Sequence, residues 1–190
     1  MRVPPLGPEQ VCVGLALMVP PPLADRLRRL RRSCGDPRAD SAPPHITVIP
    51  PTSVARAALP GLISGIENCA ARFQRFRVRL AGTGTFRPVS PVVYARLAEG
   101  FDSCRALEAQ VRPVVDGLED RFPYHPHVTI AQDVPKTTLD TAARAVDGLD
   151  ESFTAGDLDL CLLEHDAVWR PLRRFELART GSGALPEELI

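Results

Sequence analysis

Two short segments carry residue types that could do chemistry together: His45-Ile46-Thr47-Val48 and His127-Val128-Thr129-Ile130. In an extended strand, residues i and i+2 point to one face. His45 and Thr47 are therefore expected on one face, with Ile46 and Val48 on the other. His127 and Thr129 should stand against Val128 and Ile130 in the same way. The apolar pair suits a core and the polar pair an open cleft. An imidazole gives or takes a proton near neutral pH, and a hydroxyl donates a hydrogen bond to a phosphate oxygen. One such segment is weak evidence, because a histidine near a threonine on a strand is common. Two segments change the reading. Displacement at a phosphodiester needs one proton removed from the attacking oxygen and one delivered to the leaving oxygen. Two hydroxyls would stabilise charge on the equatorial oxygens. The expectation is one metal-independent site, with His45 and His127 catalytic and Thr47 and Thr129 holding phosphate.

The elements that must position these groups follow from periodicity and punctuation. Residues 11–19 read as a buried strand ended by Pro20, Pro21 and Pro22. Leu23, Leu27 and Leu30 recur at helical spacing up to Gly35, and the arginines around them read as a solvated helix face. His45 to Ile49 is a short strand that Pro50 and Pro51 should close. A helix over about 54–72 is expected to be interrupted by Pro60 and Gly61. Strands follow at 76–81 and 92–98, with 82–88 as a loop or bulged strand end. Asp102 or Ser103 should cap a helix to about Arg112. After the strand at 127–131 come a helix containing Leu139, Ala142, Ala143 and Val146, then strands at 153–163 and 168–177 turning near His165-Asp166. Residues 1–10 are a Pro-rich lead-in, 11–178 one bilobal domain and 179–190 a loose tail. The order of elements before and after the middle is similar enough to suggest two related lobes, with strand 92–98 shared between them.

Composition narrows the function classes. Of 190 residues, 44% are hydrophobic, enough for a core without disulfides or metal. Formal net charge is zero, so no global field draws the chain to nucleic acid. Lys136 is the only lysine beside many arginines, a bias that base composition alone can produce. Five scattered cysteines without a Cys-x-x-Cys pair argue against a zinc knuckle and suit a reducing cytoplasm, the expected location. The apolar run Val11–Val19 is too short to span a bilayer and lacks a signal-peptide context. There is no P-loop and no Gly-x-Ser-x-Gly elbow, so neither ATP dependence nor a serine nucleophile is expected.

The paired motifs, their spacing and the doubled layout resemble the 2H phosphoesterase superfamily, in particular its bacterial 2′-5′ RNA ligase-like, cyclic phosphodiesterase branch. Phe122-Pro123-Tyr124-His125-Pro126-His127 and its continuation to Ala131 look like that family's second motif region, and Gly82-Thr83-Gly84-Thr85-Phe86 with Pro88 like its central element. The likeness covers roughly residues 11–178. It implies an α+β, bilobal fold with pseudo-two-fold symmetry: two antiparallel sheets, outer helices and a central cleft carrying both motifs. It implies action on a 2′,3′-cyclic phosphate or 2′-5′ RNA-type phosphodiester, reversible as ligation, with His45 as general acid and His127 as general base. The expected partner is a small nucleotide or RNA end, with no cofactor, no membrane and a monomeric chain. Many relatives carry a basic residue where this chain has Gln132. Arg87, Tyr124 and His125 are further candidates for substrate contact: Arg87 by charge, Tyr124 by stacking on a base, His125 from the cleft rim. Packing is the expectation for Phe122.

Two rival readings use fewer of these features. His125 and His127 at i and i+2 could share a metal, with Asp133 or His165 as third ligand, but this leaves the His45 segment unexplained. A non-catalytic nucleotide or RNA-end binder is the other, and it has no need of two matched proton-transfer groups.

Overall fold

The computed structural model describes residues 4–118, 122–163 and 168–179. Eight strands form one antiparallel sheet in the order β6-β3-β4-β5-β2-β1-β7-β8. They are β1 (Gln10–Met18), β2 (His45–Ala55), β3 (Phe76–Thr85), β4 (Val92–Glu99), β5 (His127–Gln132), β6 (Asp150–Ala155), β7 (Asp157–Leu163) and β8 (Trp169–Glu176). Four α-helices are found among the described residues: α1 (Leu23–Ser33), α2 (Leu59–Ala70), α3 (Phe101–Val111) and α4 (Lys136–Val146).

Alternation decides which face the helices cover. Ile46, Val48, Val128 and Ile130 are fully buried and join the main core with Leu27 of α1, Ile66 of α2, Leu107 of α3 and Leu139 of α4. Burying each large aliphatic side chain contributes roughly 1.5–3 kcal/mol. The intervening His45, Thr47, His127 and Thr129 are half-buried on the opposite face. That opposite face has a smaller apolar cluster of its own, Cys12, Ala16, Ala42, Cys161, Leu163 and Trp169, on the β1–β7–β8 side.

The two expected sheets are two halves of one. β2-β1-β7-β8 and β5-β4-β3-β6 meet at the motif strands through one registered pair, Ile46 with Val128. The first half draws strands from both ends of the chain, and the second is built from the consecutive strands β3 to β6 of its middle. β7 and β8 complete the half containing β1 and β2, while β3, made before the second motif, completes the half containing β4 and β5. The shared strand at 92–98 belongs to the second half alone, between β3 and β5.

Several local expectations are corrected. Pro50 and Pro51 do not end β2, which runs on to Ala55; they fall where the β1 register shifts between Val13 and Leu15, a bulge that does not need their missing N–H groups. Pro60 sits in the first turn of α2, where it fits, so it starts the helix rather than interrupting it. The N-cap of α3 is Gly100, with φ 87°, not Asp102 or Ser103. The stretch 153–163 is two strands parted at Gly156: β6 pairs with β3, and β7 crosses to β1. The turn placed at His165-Asp166 and the tail beyond 179 lie outside the described residues.

Arg31 also departs from the solvated-face reading of α1. It is 2% exposed, its Nε donates to Asp36 Oδ2 at 3.0 Å, and its Nη1 donates to the Ala42 carbonyl at 2.7 Å. A buried guanidinium needs this degree of pairing. The result is a clamp on the 36–44 loop that delivers His45.

Candidate active site

The seam between β2 and β5 sets the geometry. An antiparallel pair centred on Ile46 and Val128 runs His45 alongside Thr129 and Thr47 alongside His127. Each histidine thus neighbours the threonine of the other motif, on the face opposite the buried Ile46 and Val128. The four groups expected from sequence are brought together in this way.

Both imidazoles are held by the same local device. His45 Nδ1 lies 2.6 Å from the Pro43 carbonyl oxygen, and His127 Nδ1 lies 2.8 Å from the His125 carbonyl oxygen. A carbonyl only accepts, so Nδ1 carries the hydrogen and Nε2 of the neutral ring is left as a base. The Pro43 carbonyl follows directly on Ala42, whose own carbonyl Arg31 grips. On the other side, Tyr124 Oη donates to the Thr47 carbonyl at 2.9 Å and ties the approach to β5 onto β2.

The surroundings of the rings differ. The His45 ring packs at 4.4 Å from Trp169 of β8. Trp169 needs Gly14 beneath it, where a Cβ would lie 2.8 Å from its ring. The His127 ring meets Phe86 edge-on at 4.9 Å and Tyr94 at 5.1 Å. Gly84 plays the part of Gly14 here, because a Cβ on it would run into the Tyr94 ring. Burial pulls the His45 imidazole down to about 4; the Pro43 carbonyl opposes this, and the charges of Arg31 and His127 add to it. Burial also lowers His127, opposed by its bond to the His125 carbonyl. Both rings are therefore neutral at neutral pH before an anion arrives.

The remaining candidates fall in different places. The side chain of Arg87 is engaged, Nη1 donating to Asp140 Oδ1 of α4 at 2.6 Å and Nε to Thr85 Oγ1 at 3.2 Å. The Tyr124 ring packs against the core and its hydroxyl is used on Thr47, whereas Phe122, expected to pack, is 71% exposed. His125 is exposed and touches Phe86, Tyr94 and Phe101. Gln132 is buried at the end of β5. Of the alternative metal ligands, Asp133 pairs with Arg38 at 3.8 Å and His165 lies outside the described residues. Among the described residues no three His, Cys, Asp or Glu side chains gather as a metal site would require.

Sequence reasoning missed Trp169, Tyr94 and Arg96. Trp169 reaches His45 only through the fold. Tyr94 and Arg96 had a signal, since they alternate along β4 as His127 and Thr129 do along β5. Tyr94 stands opposite Thr129, and Arg96 opposite His127.

A single antiparallel sheet presenting paired His-x-Thr strands at its centre defines a class, and the comparisons give it a name. The model of the 2′-5′ RNA ligase superfamily matches residues 19–169, and the chain belongs to that family of 2H phosphoesterases. Proteins named only provisionally as phosphoesterases are similar in sequence. One from Oceanobacillus iheyensis is 25% identical over 64% of this chain and 70% of its own length. One from Halalkalibacterium halodurans is 26% identical over the same shares. The fold is that of Escherichia coli LigT, with TM-score 0.69 and 18% identity over 90% of this chain and 99% of that one. LigT has also been solved with 3′-AMP, with TM-score 0.66 and 18% identity over 89% of this chain and 98% of that one. No described helix is long and apolar enough to cross a membrane.

Proposed function

We propose that this chain is a metal-independent phosphodiesterase that opens a 2′,3′-cyclic phosphate, or cleaves a 2′-5′ RNA-type diester, on a small nucleotide or RNA end. The observation that carries the reading is the seam at Ile46 and Val128, which sets His45 beside Thr129 and Thr47 beside His127 on one face. Bound nucleotide in the LigT structure with 3′-AMP supports the substrate class.

The phosphate lies between the two motif strands, its non-bridging oxygens accepting hydrogen bonds from the Thr47 and Thr129 hydroxyls. His127 Nε2 takes the proton of the attacking water. The new P–O bond forms as the P–O bond to the ribose oxygen breaks, and His45 Nε2–H gives that oxygen its proton. The substrate's anionic charge replaces water beside His45 and raises its proton affinity, which lets a ring that is neutral in the free protein serve as the acid. With an RNA hydroxyl in place of water the same groups join a 2′-5′ linkage, and microscopic reversibility exchanges their roles in the cleavage direction.

The test is turnover of adenosine 2′,3′-cyclic phosphate with excess EDTA. Undiminished turnover that either His45→Ala or His127→Ala abolishes supports the reading. Full activity in either variant overturns the two-histidine mechanism, and loss on EDTA points to a metal. Tight binding without turnover of any cyclic phosphate or 2′-5′ oligonucleotide would make the chain a binder.

A further inference from the structure

The β4 residues beside His127 form a second contact surface that the two-histidine reaction does not use. Directly opposed residues of an antiparallel pair share a face. Arg96 opposes His127 and Tyr94 opposes Thr129, so both side chains stand on the catalytic face. Arg96 is exposed, and its guanidinium has no ion-pair partner among the described residues. That sets it apart from the chain's other arginines near the motifs: Arg31 is locked to Asp36, Arg87 to Asp140, and Arg38 pairs with Asp133. The Tyr94 hydroxyl also lacks a hydrogen-bond partner among the described residues, and the Arg96 charge acts on it.

We infer that Arg96, with the Tyr94 hydroxyl beside it, binds a second phosphate of the substrate, one that does not react, and so selects nucleotides carrying an anionic group beyond the scissile phosphate. The inference rests on the reading of the site given above. The reacting phosphate already has two imidazoles and two hydroxyls around it. An arginine side chain is longer than an imidazole, so from the position opposite His127 the exposed Arg96 has the reach to meet a group beyond the reacting phosphate. A planar fork with free N–H groups matches two phosphate oxygens at once. At the equivalent position of the other half, opposite His45, stands Met18, which offers no charge. The recognition is therefore one-sided and falls on the part of the substrate next to His127.

The experiment compares adenosine 2′,3′-cyclic phosphate with its 5′-phosphorylated form in the wild type, Arg96→Ala and Arg96→Lys. The wild type should prefer the 5′-phosphorylated substrate in kcat/KM. Arg96→Ala should lower that preference about tenfold or more, the scale of a charge-assisted contact to phosphate. The loss should appear mainly in KM, and Arg96→Lys should recover part of it. No preference in the wild type, or an equal loss on both substrates, overturns the inference. A chain that turns over neither substrate refutes the proposed function instead, and calorimetry then decides about Arg96. Adenosine 3′,5′-bisphosphate should bind more tightly than adenosine 3′-monophosphate, and Arg96→Ala should erase the difference. Equal binding, or a difference the variant keeps, sinks the idea.

Discussion

On the His45 side, the face of the sheet turned from the main core carries the buried Cys12, Ala16, Cys161 and Trp169, with Met18 opposite the histidine. On the His127 side the matching strand carries Tyr94 and Arg96, with Phe86 against the ring. The two halves share a backbone device, an Nδ1 bond to the carbonyl two residues earlier. They do not share an environment. The apolar side strips more water from its imidazole than hydrogen bonding restores, and the other side surrounds its imidazole with aromatic edges and a free cation. A repeated motif fixes where a ring points, while the residues packed around it decide when it carries a proton.

The largest expected effect tests that division directly. Removing either histidine should cost roughly 10²–10⁴-fold in kcat, the usual range for one acid or base. On a p-nitrophenyl diester, whose leaving group needs no proton, His45→Ala should recover most of its activity and His127→Ala should not. Recovery in the opposite variant would exchange the two roles.

The loops that deliver the histidines should differ next. Arg31→Met leaves Asp36 buried without its partner and should cost about 3–5 kcal/mol in denaturant unfolding. Tyr124→Phe removes one neutral hydrogen bond, to Thr47, and should cost about 1 kcal/mol. Equal losses would mean that the clamp on the first loop is not specially stiff.

The glycines beneath the rings come third. Gly84→Ala drives a methyl into Tyr94, and Gly14→Ala drives one against Trp169. Each should destabilise by about 1–3 kcal/mol. Gly84→Ala should also lower kcat through His127, and Gly14→Ala through His45.

The smallest effects are in pH dependence. Both free-protein imidazoles titrate below the ordinary histidine value of 6.5, so the kcat/KM bell should centre on the acid side of it. Trp169→Ala admits water beside His45 and should raise its titration midpoint from about 4 toward 6.5, followed by NMR. For stability the sign is fixed. The folded value lies below the unfolded one, so the contribution is full above pH 6.5 and is lost as pH falls toward 4. A histidine midpoint that does not move in Trp169→Ala would assign the desolvation to other neighbours.

Much of the site was legible because it is local. Period-two alternation put His45, Thr47, His127 and Thr129 on one face and their apolar neighbours in the core, and the structure agrees. What was not legible is set by partners distant in the chain. Trp169 reads as an ordinary strand residue until β8 is laid beside β7. Arg31 reads as part of a charged helix face until Asp36 and Ala42 fold back over it. Pro50 and Pro51 read as a stop because the bulge they occupy in β2 shows only in how β1 pairs on either side of it. Tyr124 reads as a candidate to stack on a base and Phe122 as a residue to pack, but Tyr124 packs against the core with its hydroxyl on Thr47 and Phe122 is exposed.

The return of β7 and β8 to the first half has a consequence for how the chain comes to work. β1 and β2 can pair as soon as both have been made, but the Trp169 floor beneath His45 waits for β7 and β8. The face around His127 is assembled from β3, β4 and β5, which follow one another in the chain. The contacts of β1 with β7 and of His45 with Trp169 join the two ends of the chain and close slowly. During synthesis the chain therefore carries the first motif well before it has the surroundings that tune it. A fragment that stops short of β8 can already surround His127 but leaves His45 without its floor, so the activity should emerge late, once the first half is closed.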